Sequence, residues 1–236
     1  MSGWVNFAFF GVYPYVALSV LLLGSLVRFD YGAYTWKSDS SQLLRRRELS
    51  IGSNLFHYGV LVVILGHFAG FLMPEPLISW LISPAQHELL AMLVGGVAGT
   101  IAIVGLSILI HRRLADPRVR AVSRGSDIAI VFMLWAQLAL GLLTVPFSAA
   151  HMSGGLFRTL VAYVQGIVTF RPGVAGLLLS VPLVYKLHIL LGFTIFLVSP
   201  FTRMIHIWSA PVWYLGREGY QIVRTRRLPA TEKVRR

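Results

Sequence analysis

The sequence predicts an all-α integral membrane bundle of five transmembrane helices, N-terminus outside and C-terminus cytoplasmic, on three observations. Hydrophobic residues make up 56% of the 236 and charged residues only 13%, about half the charged share of a soluble domain. Runs of roughly 20 apolar residues, enough to cross a bilayer at about 1.5 Å per residue, recur five times. Lysine and arginine collect in every second loop, the pattern that orients membrane proteins. Mean hydropathy is +0.71.

The first span, at about 4–27, starts without a basic leader and reaches Arg28 without a small-residue cleavage site. It therefore reads as a retained helix, not a cleaved signal peptide. The following loop, 28–50, carries Arg28, Lys37, Arg45, Arg46 and Arg47. The second span, about 51–73, contains "NLFHYGVLVVILGHFAG", and the loop after it, 74–88, has no lysine or arginine. The third, about 89–110, opens near His87 and ends at His111 in a loop with Arg112, Arg113, Arg118, Arg120 and Arg124. The fourth covers about 128–146. The loop 147–180 beyond it has only Arg158 and Arg171.

Within that loop, "LFRTLVAYVQGIVT" (156–169) spaces Leu156, Leu160, Val161, Val164, Ile167 and Val168 at near-helical intervals. That predicts an amphipathic helix lying on the outer surface, as the roof of a pocket or a plain connector. The fifth span, about 181–207, leads to an aromatic belt of Trp208, Trp213 and Tyr214. One domain accounts for 1–236, with 208–236 a basic cytoplasmic tail suited to docking on a partner.

The net charge of +12 thus encodes orientation, and no nucleic-acid role is implied. With no cysteine in the chain, disulfides, thiolate catalysis and a cysteine-ligated iron–sulfur cluster are excluded.

Histidines carry the chemical signal, because an imidazole in hydrocarbon needs a hydrogen bond, a proton partner or a metal. The second span runs inside to outside and the fifth runs back. His67 is therefore level with His188 near the outer end, and His57 near the level of His206 at the inner end. Two facing pairs of imidazoles, one above the other, suit two bis-histidine haems. The rises differ: about 15 Å from His57 to His67 and about 27 Å from His188 to His206. The irons would then stand roughly 21 Å apart along the normal, with the fifth span tilted or bent; Pro200 offers the kink. On the second span His57 and His67 lie about 80° apart around the axis, which suits two separate sites and not one shared metal.

Gly59, Gly66, Gly70 and Gly192 leave gaps that a flat macrocycle or an ordinary helix contact would use. Lys186 and Arg203 either meet haem propionates or snorkel to the interface. His87 is either a quinol contact or an exposed interfacial histidine; His111 and His151 read as solvated loop residues. The alternatives for the four central histidines are helix–helix hydrogen bonds, proton relay or a transporter. A zinc site would want carboxylates beside them, and the five apolar runs contain none.

Long stretches of the chain resemble the gamma subunit of membrane-bound respiratory nitrate reductase, from about residue 10 to 224. They are "YPYVALSVLLLGSLVRFDYGAYTWKSDSSQLL", "SNLFHYGVLVVILGHFAGFLMP", "TVPFSAAHM", "GIVTF" and "YKLHILLGFTIFLVSPFTRMIHIWSAPVWYL". The resemblance implies a five-helix cytochrome b in the bacterial inner membrane holding two b-type haems. His67 and His188 would ligate the distal one, His57 and His206 the proximal one. It implies oxidation of menaquinol or ubiquinol near the distal haem on the periplasmic side. Electrons would pass to an iron–sulfur beta subunit and on to a molybdenum-containing alpha subunit that reduces nitrate. His87 stands where family members can carry a lysine. The second reading keeps the haems and changes the partner to a sulfur-cycle or disulfide-reducing complex.

Overall fold

A computed structural model describes residues 3–35, 44, 46–74, 77, 80–150 and 154–209. The expectations placed on Lys37, Arg45, His151, Trp213, Tyr214 and the tail beyond 209 lie outside these residues. The chain divides into two units, Met1–His206 and Ile207–Arg236. Of the second, the described part is 207–209, the end of a 3₁₀ stretch, Arg203–Ser209.

Five helices are long and apolar enough to cross a membrane: α1 (Gly3–Tyr31), α2 (Arg46–Leu72), α3 (Pro84–Ala115), α4 (Gly125–Ala149) and, after a shorter helix, α6 (Leu183–Phe201). The shorter helix, α5, is Gly155–Val168. Among the described residues there is no strand. The helices outrun the apolar runs because their ends are polar and capped. At the start of α3, Ser83 accepts from the Gln86 N–H and Gln86 returns a bond to the Ser83 N–H, a capping box ahead of Pro84, whose ring suits the first helical turn. The extensions bring Glu88 and Asp127 into helices α3 and α4, both buried. The apolar runs are free of carboxylates; the helices are not.

Packing follows the order α2–α3–α4–α6–α1. The tightest seam is between α2 and α3. A Cβ on Gly59 would lie 2.6 Å from the Ala102 nitrogen and the Ala98 carbonyl, and one on Gly105 would collide with the Phe56 nitrogen. Glycine and alanine here let two backbones touch, the small-residue contact by which membrane helices associate without a hydrophobic driving force. Of the two uses the sequence left open for Gly59, a macrocycle gap or a helix contact, the structure shows the helix contact. Gly66 has nothing within 4 Å of its Cβ position.

Two ends of the bundle differ. At one, α5 lies on the helix ends with Phe157, Leu160, Tyr163 and Ile167 buried. The helix is as predicted, but its buried face is turned so that Phe157 and Tyr163 enter the core while Val168 stays exposed. Leu160, Tyr163 and Ile167 join Phe10, Val174, Leu178, Val181 and Tyr185 in the larger core cluster. The Tyr163 hydroxyl donates to the Phe10 carbonyl at 3.0 Å, and burial pushes that phenol's pKa up.

At the other end arginines organise the structure. The α-helical part of α6 stops at Val198, passes through a 3₁₀ turn, Ser199–Phe201, and breaks at Thr202, whose backbone is extended. Pro200 explains the break, since it lacks an N–H and its ring crowds the preceding turn. The Arg28 guanidinium donates to the carbonyls of Pro200 and Thr202 at 2.6 and 3.0 Å. The fifth span is therefore bent, as the unequal histidine rises require, and His206 lies beyond the helix proper.

Candidate functional site

Helix α2 carries His57 and His67, α6 carries His188, and His206 follows α6 on the 3₁₀ stretch; α2 and α6 are not neighbours in the packing order among the described residues. The four imidazoles nevertheless meet in two pairs. The ring centroids of His67 and His188 are 6.2 Å apart with planes inclined at 36°. Those of His57 and His206 are 6.4 Å apart at 66°. Two imidazoles bound on opposite sides of one metal through bonds of about 2 Å place their centroids about 6 Å apart. The depth pairing expected from the sequence is thus the pairing in space.

Three of the rings are held in the same way. Nδ1 lies 2.7 Å from the Ser53 carbonyl in His57, 2.7 Å from the Val63 carbonyl in His67 and 2.6 Å from the Arg203 carbonyl in His206. A carbonyl only accepts, so Nδ1 carries the proton and Nε2 keeps its lone pair. That tautomer, fixed by a backbone carbonyl behind the ring, is the one a metal-binding histidine uses.

His188 is the exception. Its Nδ1 is buried with no hydrogen-bond partner among the described residues, and its Nε2 stands 3.4 Å from the side-chain nitrogen of Gln137 on α4. A Cβ on Gly141 would lie 3.0 Å from its Cε1, so that glycine makes room for the ring. Gly192 faces Gln137 in turn, its Cβ position 3.1 Å from the amide nitrogen. Neither Gln137 nor Gly141 was singled out from the sequence. A lone amide in the apolar run "LWAQLALG" is the signal that pointed there.

Among the described residues no group of three or more His, Cys, Asp or Glu gathers to hold a metal ion. Each pair brings together two imidazoles and, among the described residues, no third donor of those types, a donor set that would suit a haem iron.

Around the His67 pair, aromatic rings form a chain. Phe71 meets His67 edge-on at 5.5 Å and Phe157 at 5.8 Å, and Phe157 meets His87 at 4.7 Å. The π-helical turn Phe68–Leu72, directly after His67, presents Gly70 to His87, whose Nε2 is 3.8 Å from the glycine's Cβ position. A wide turn of this kind often marks a functional site. His87 is therefore half-buried between the end of α2 and the roof helix. Lys186 is buried, and its ammonium donates to the Leu179 carbonyl at 3.0 Å.

At the opposite end, Arg203 and Asp127 pair at 2.9 Å, and Arg113 stands 3.8 Å from the same carboxylate. Arg203 is also the residue whose carbonyl holds His206, so α4 positions that histidine through the ion pair.

The family model described as nitrate reductase gamma subunit matches residues 6–226. Respiratory nitrate reductase 1 gamma chain of Escherichia coli is 48% identical over 223 residues, 94% of this chain and 98% of that one. Nitrate reductase gamma chain of Bacillus subtilis is 38% identical over 228 residues, 96% of this chain and 100% of that one. An Hdr-like menaquinol oxidoreductase cytochrome b-like subunit of Archaeoglobus profundus is 27% identical over 162 residues, covering 68% of this chain and 46% of that one.

Proposed function

The chain belongs to the nitrate reductase gamma subunit family and is a multi-pass membrane subunit of a respiratory nitrate reductase in the bacterial inner membrane; from that premise, we propose that it is the complex's quinol-oxidising dihaem cytochrome b. The observation that carries the reading is the pair of facing imidazole couples, at 6.2 and 6.4 Å, with three of the four rings tied back through Nδ1. His67 and His188 hold one b-type haem, His57 and His206 the other. These groups, when bound, supply one-electron carriers between a quinol and an iron–sulfur beta subunit, which in turn feeds a molybdenum-containing alpha subunit.

The chain's own residues do the rest. By the distribution of lysine and arginine, the α5 end is outside and the arginine end cytoplasmic. His87, beside Gly70 and Phe157, contacts the quinol at the outer end. The α5 roof and the Phe71–Phe157 rings keep water from that contact. Arg203 and Lys186 lie near enough to the histidines in sequence to meet propionates, as cations meet carboxylates near lipid. The basic tail after 208 docks on the cytoplasmic subunits. Protons released outside and electrons delivered inside separate charge, each elementary charge being worth about 2.3 kcal/mol per 100 mV.

Reduced-minus-oxidised spectra of the purified chain test the reading. A b-type α-band is expected, and replacing His67 or His188 is expected to remove one haem together with quinol oxidation. Retention of both haems in either variant would overturn the assignment. A second reading, a cytochrome b of a disulfide-reducing complex, draws on the Archaeoglobus resemblance; the subunits that copurify decide between the two.

A further inference from the structure

Glu88 is the most deeply buried acidic side chain described in the bundle, 2% exposed, and nothing proposed so far uses it. It lies one residue after His87 in the first turns of α3. Its Oε2 accepts from the Gly154 N–H at 3.1 Å, at the entry to the roof helix. Its Oε1 is buried with no hydrogen-bond partner among the described residues. Among the described residues no lysine or arginine is paired with it.

An ionised carboxylate in such a place carries a desolvation cost with no cation among the described residues to offset it. A carboxyl that takes up and gives off a proton avoids carrying that charge permanently. Ionisable groups within membrane proteins mark proton routes for this reason. A merely structural role would need one acceptor for Gly154, and an amide would serve as well. The second oxygen, bare and buried, is what an amide would not reproduce as a proton acceptor.

We propose that Glu88 is the proton acceptor of the outer quinol site, taking a proton from quinol and passing it on toward the outer side. The inference rests on the quinol-oxidising reading above. A quinol hydroxyl O–H breaks as an O–H forms on Glu88. The quinol's two electrons leave to the complex and reduce nitrate, so quinol and nitrate become quinone, nitrite and water. Glu88 then returns its proton to solvent before the second is taken.

The test uses the whole nitrate reductase complex carrying Glu88→Gln, which keeps an acceptor for Gly154. The expected result is a fall in quinol-driven nitrate reduction of about 100-fold, the scale of a lost acid–base group. KM for quinol, haem content and nitrate reduction driven by a reduced viologen, which delivers no protons, should all stay unchanged. Wild-type quinol turnover in Glu88→Gln overturns the proposal, as does a parallel loss of viologen-driven activity, which would mark a structural role. If Glu88→Gln does not assemble, Glu88→Asp decides. A several-fold slowing at unchanged haem content supports the proposal, and an unchanged rate overturns it. Failure of the underlying reading is separately visible: the unmodified complex would then show no quinol-dependent haem reduction.

Discussion

The two histidine pairs are alike in spacing and unlike in support. In the His67–His188 pair one ring stands against Phe71, which meets Phe157 of the roof helix, and the other is fitted over Gly141 and beside Gln137. The His57–His206 pair sits where a helix has broken. There it is held by hydrogen bonds and charge, through Arg28 on the Pro200 and Thr202 carbonyls and Asp127 on Arg203. Packing is insensitive to salt and intolerant of volume change; charge pairs behave in the opposite way. One fold can thus present the same ligand geometry twice by different means, and perturbations should separate the two sites.

On the proposed dihaem reading, the sharpest separation comes from the histidines themselves. His206→Ala should remove the haem of the arginine end and leave the other in place, while His188→Ala does the reverse. Haem per chain, read from a pyridine haemochrome spectrum, should fall by half in each. A loss of both haems in either variant would mean the sites are not independent.

Next in size is the ion pair. Asp127→Ala leaves Arg113 and Arg203 facing each other with their shared carboxylate gone, and removing one partner of a buried pair costs about 3–5 kcal/mol. Thermal unfolding in detergent should register the loss. The α-band of the His57–His206 haem should change before that of the other. Equal disturbance of both haems would erase the contrast drawn above.

Glycine substitutions sharpen it further. In Gly59→Ala the new methyl meets backbone atoms of α3 at 2.6 Å. Backbone cannot step aside, so α2 and α3 must separate, at about 1–3 kcal/mol for overpacking. In Gly141→Ala the methyl meets only the His188 ring at 3.0 Å. The expected result is a small stability change with a shifted spectrum for the His67–His188 haem alone. Comparing melting temperature with spectrum in the two variants checks this.

The smallest effect concerns the roof. Tyr163→Phe gives up the hydroxyl bond to Phe10, worth about 1 kcal/mol. Because burial raises the phenol's pKa above its ordinary 10.0, the folded protein keeps the proton that the unfolded chain loses. That contribution is whole below about pH 10 and is lost as pH climbs above it. Melting temperature in alkaline buffer should therefore fall less steeply in Tyr163→Phe than in the unaltered protein.

Much of this was legible in the chain before any coordinates. Five apolar runs of bilayer length dictate five crossings, because backbone in hydrocarbon must bond within its own helix. Alternating basic loops set a direction, and direction turns residue numbers into depth, which is why His67 could be matched to His188 and His57 to His206. The amphipathic spacing after 155 predicted α5. The bend in the fifth span was implied by unequal histidine rises and by Pro200.

Other features could be decided only by the tertiary structure, because they depend on rotation about helix axes and on which neighbour arrives. Depth follows from counting residues along one helix; azimuth does not. Gly59 fits a macrocycle gap or a helix seam equally well until α3 is found against it. The same holds for Gly141 and Gln137, which matter only because α4 turns them toward His188, and for Phe157, placed by a fold-back of the chain against Phe71 and His87. The carboxylates Glu88 and Asp127 escaped notice because they lie at helix ends, just outside the apolar runs. Folding draws them inward by capping and ion pairing, interactions that hydropathy along the chain does not contain.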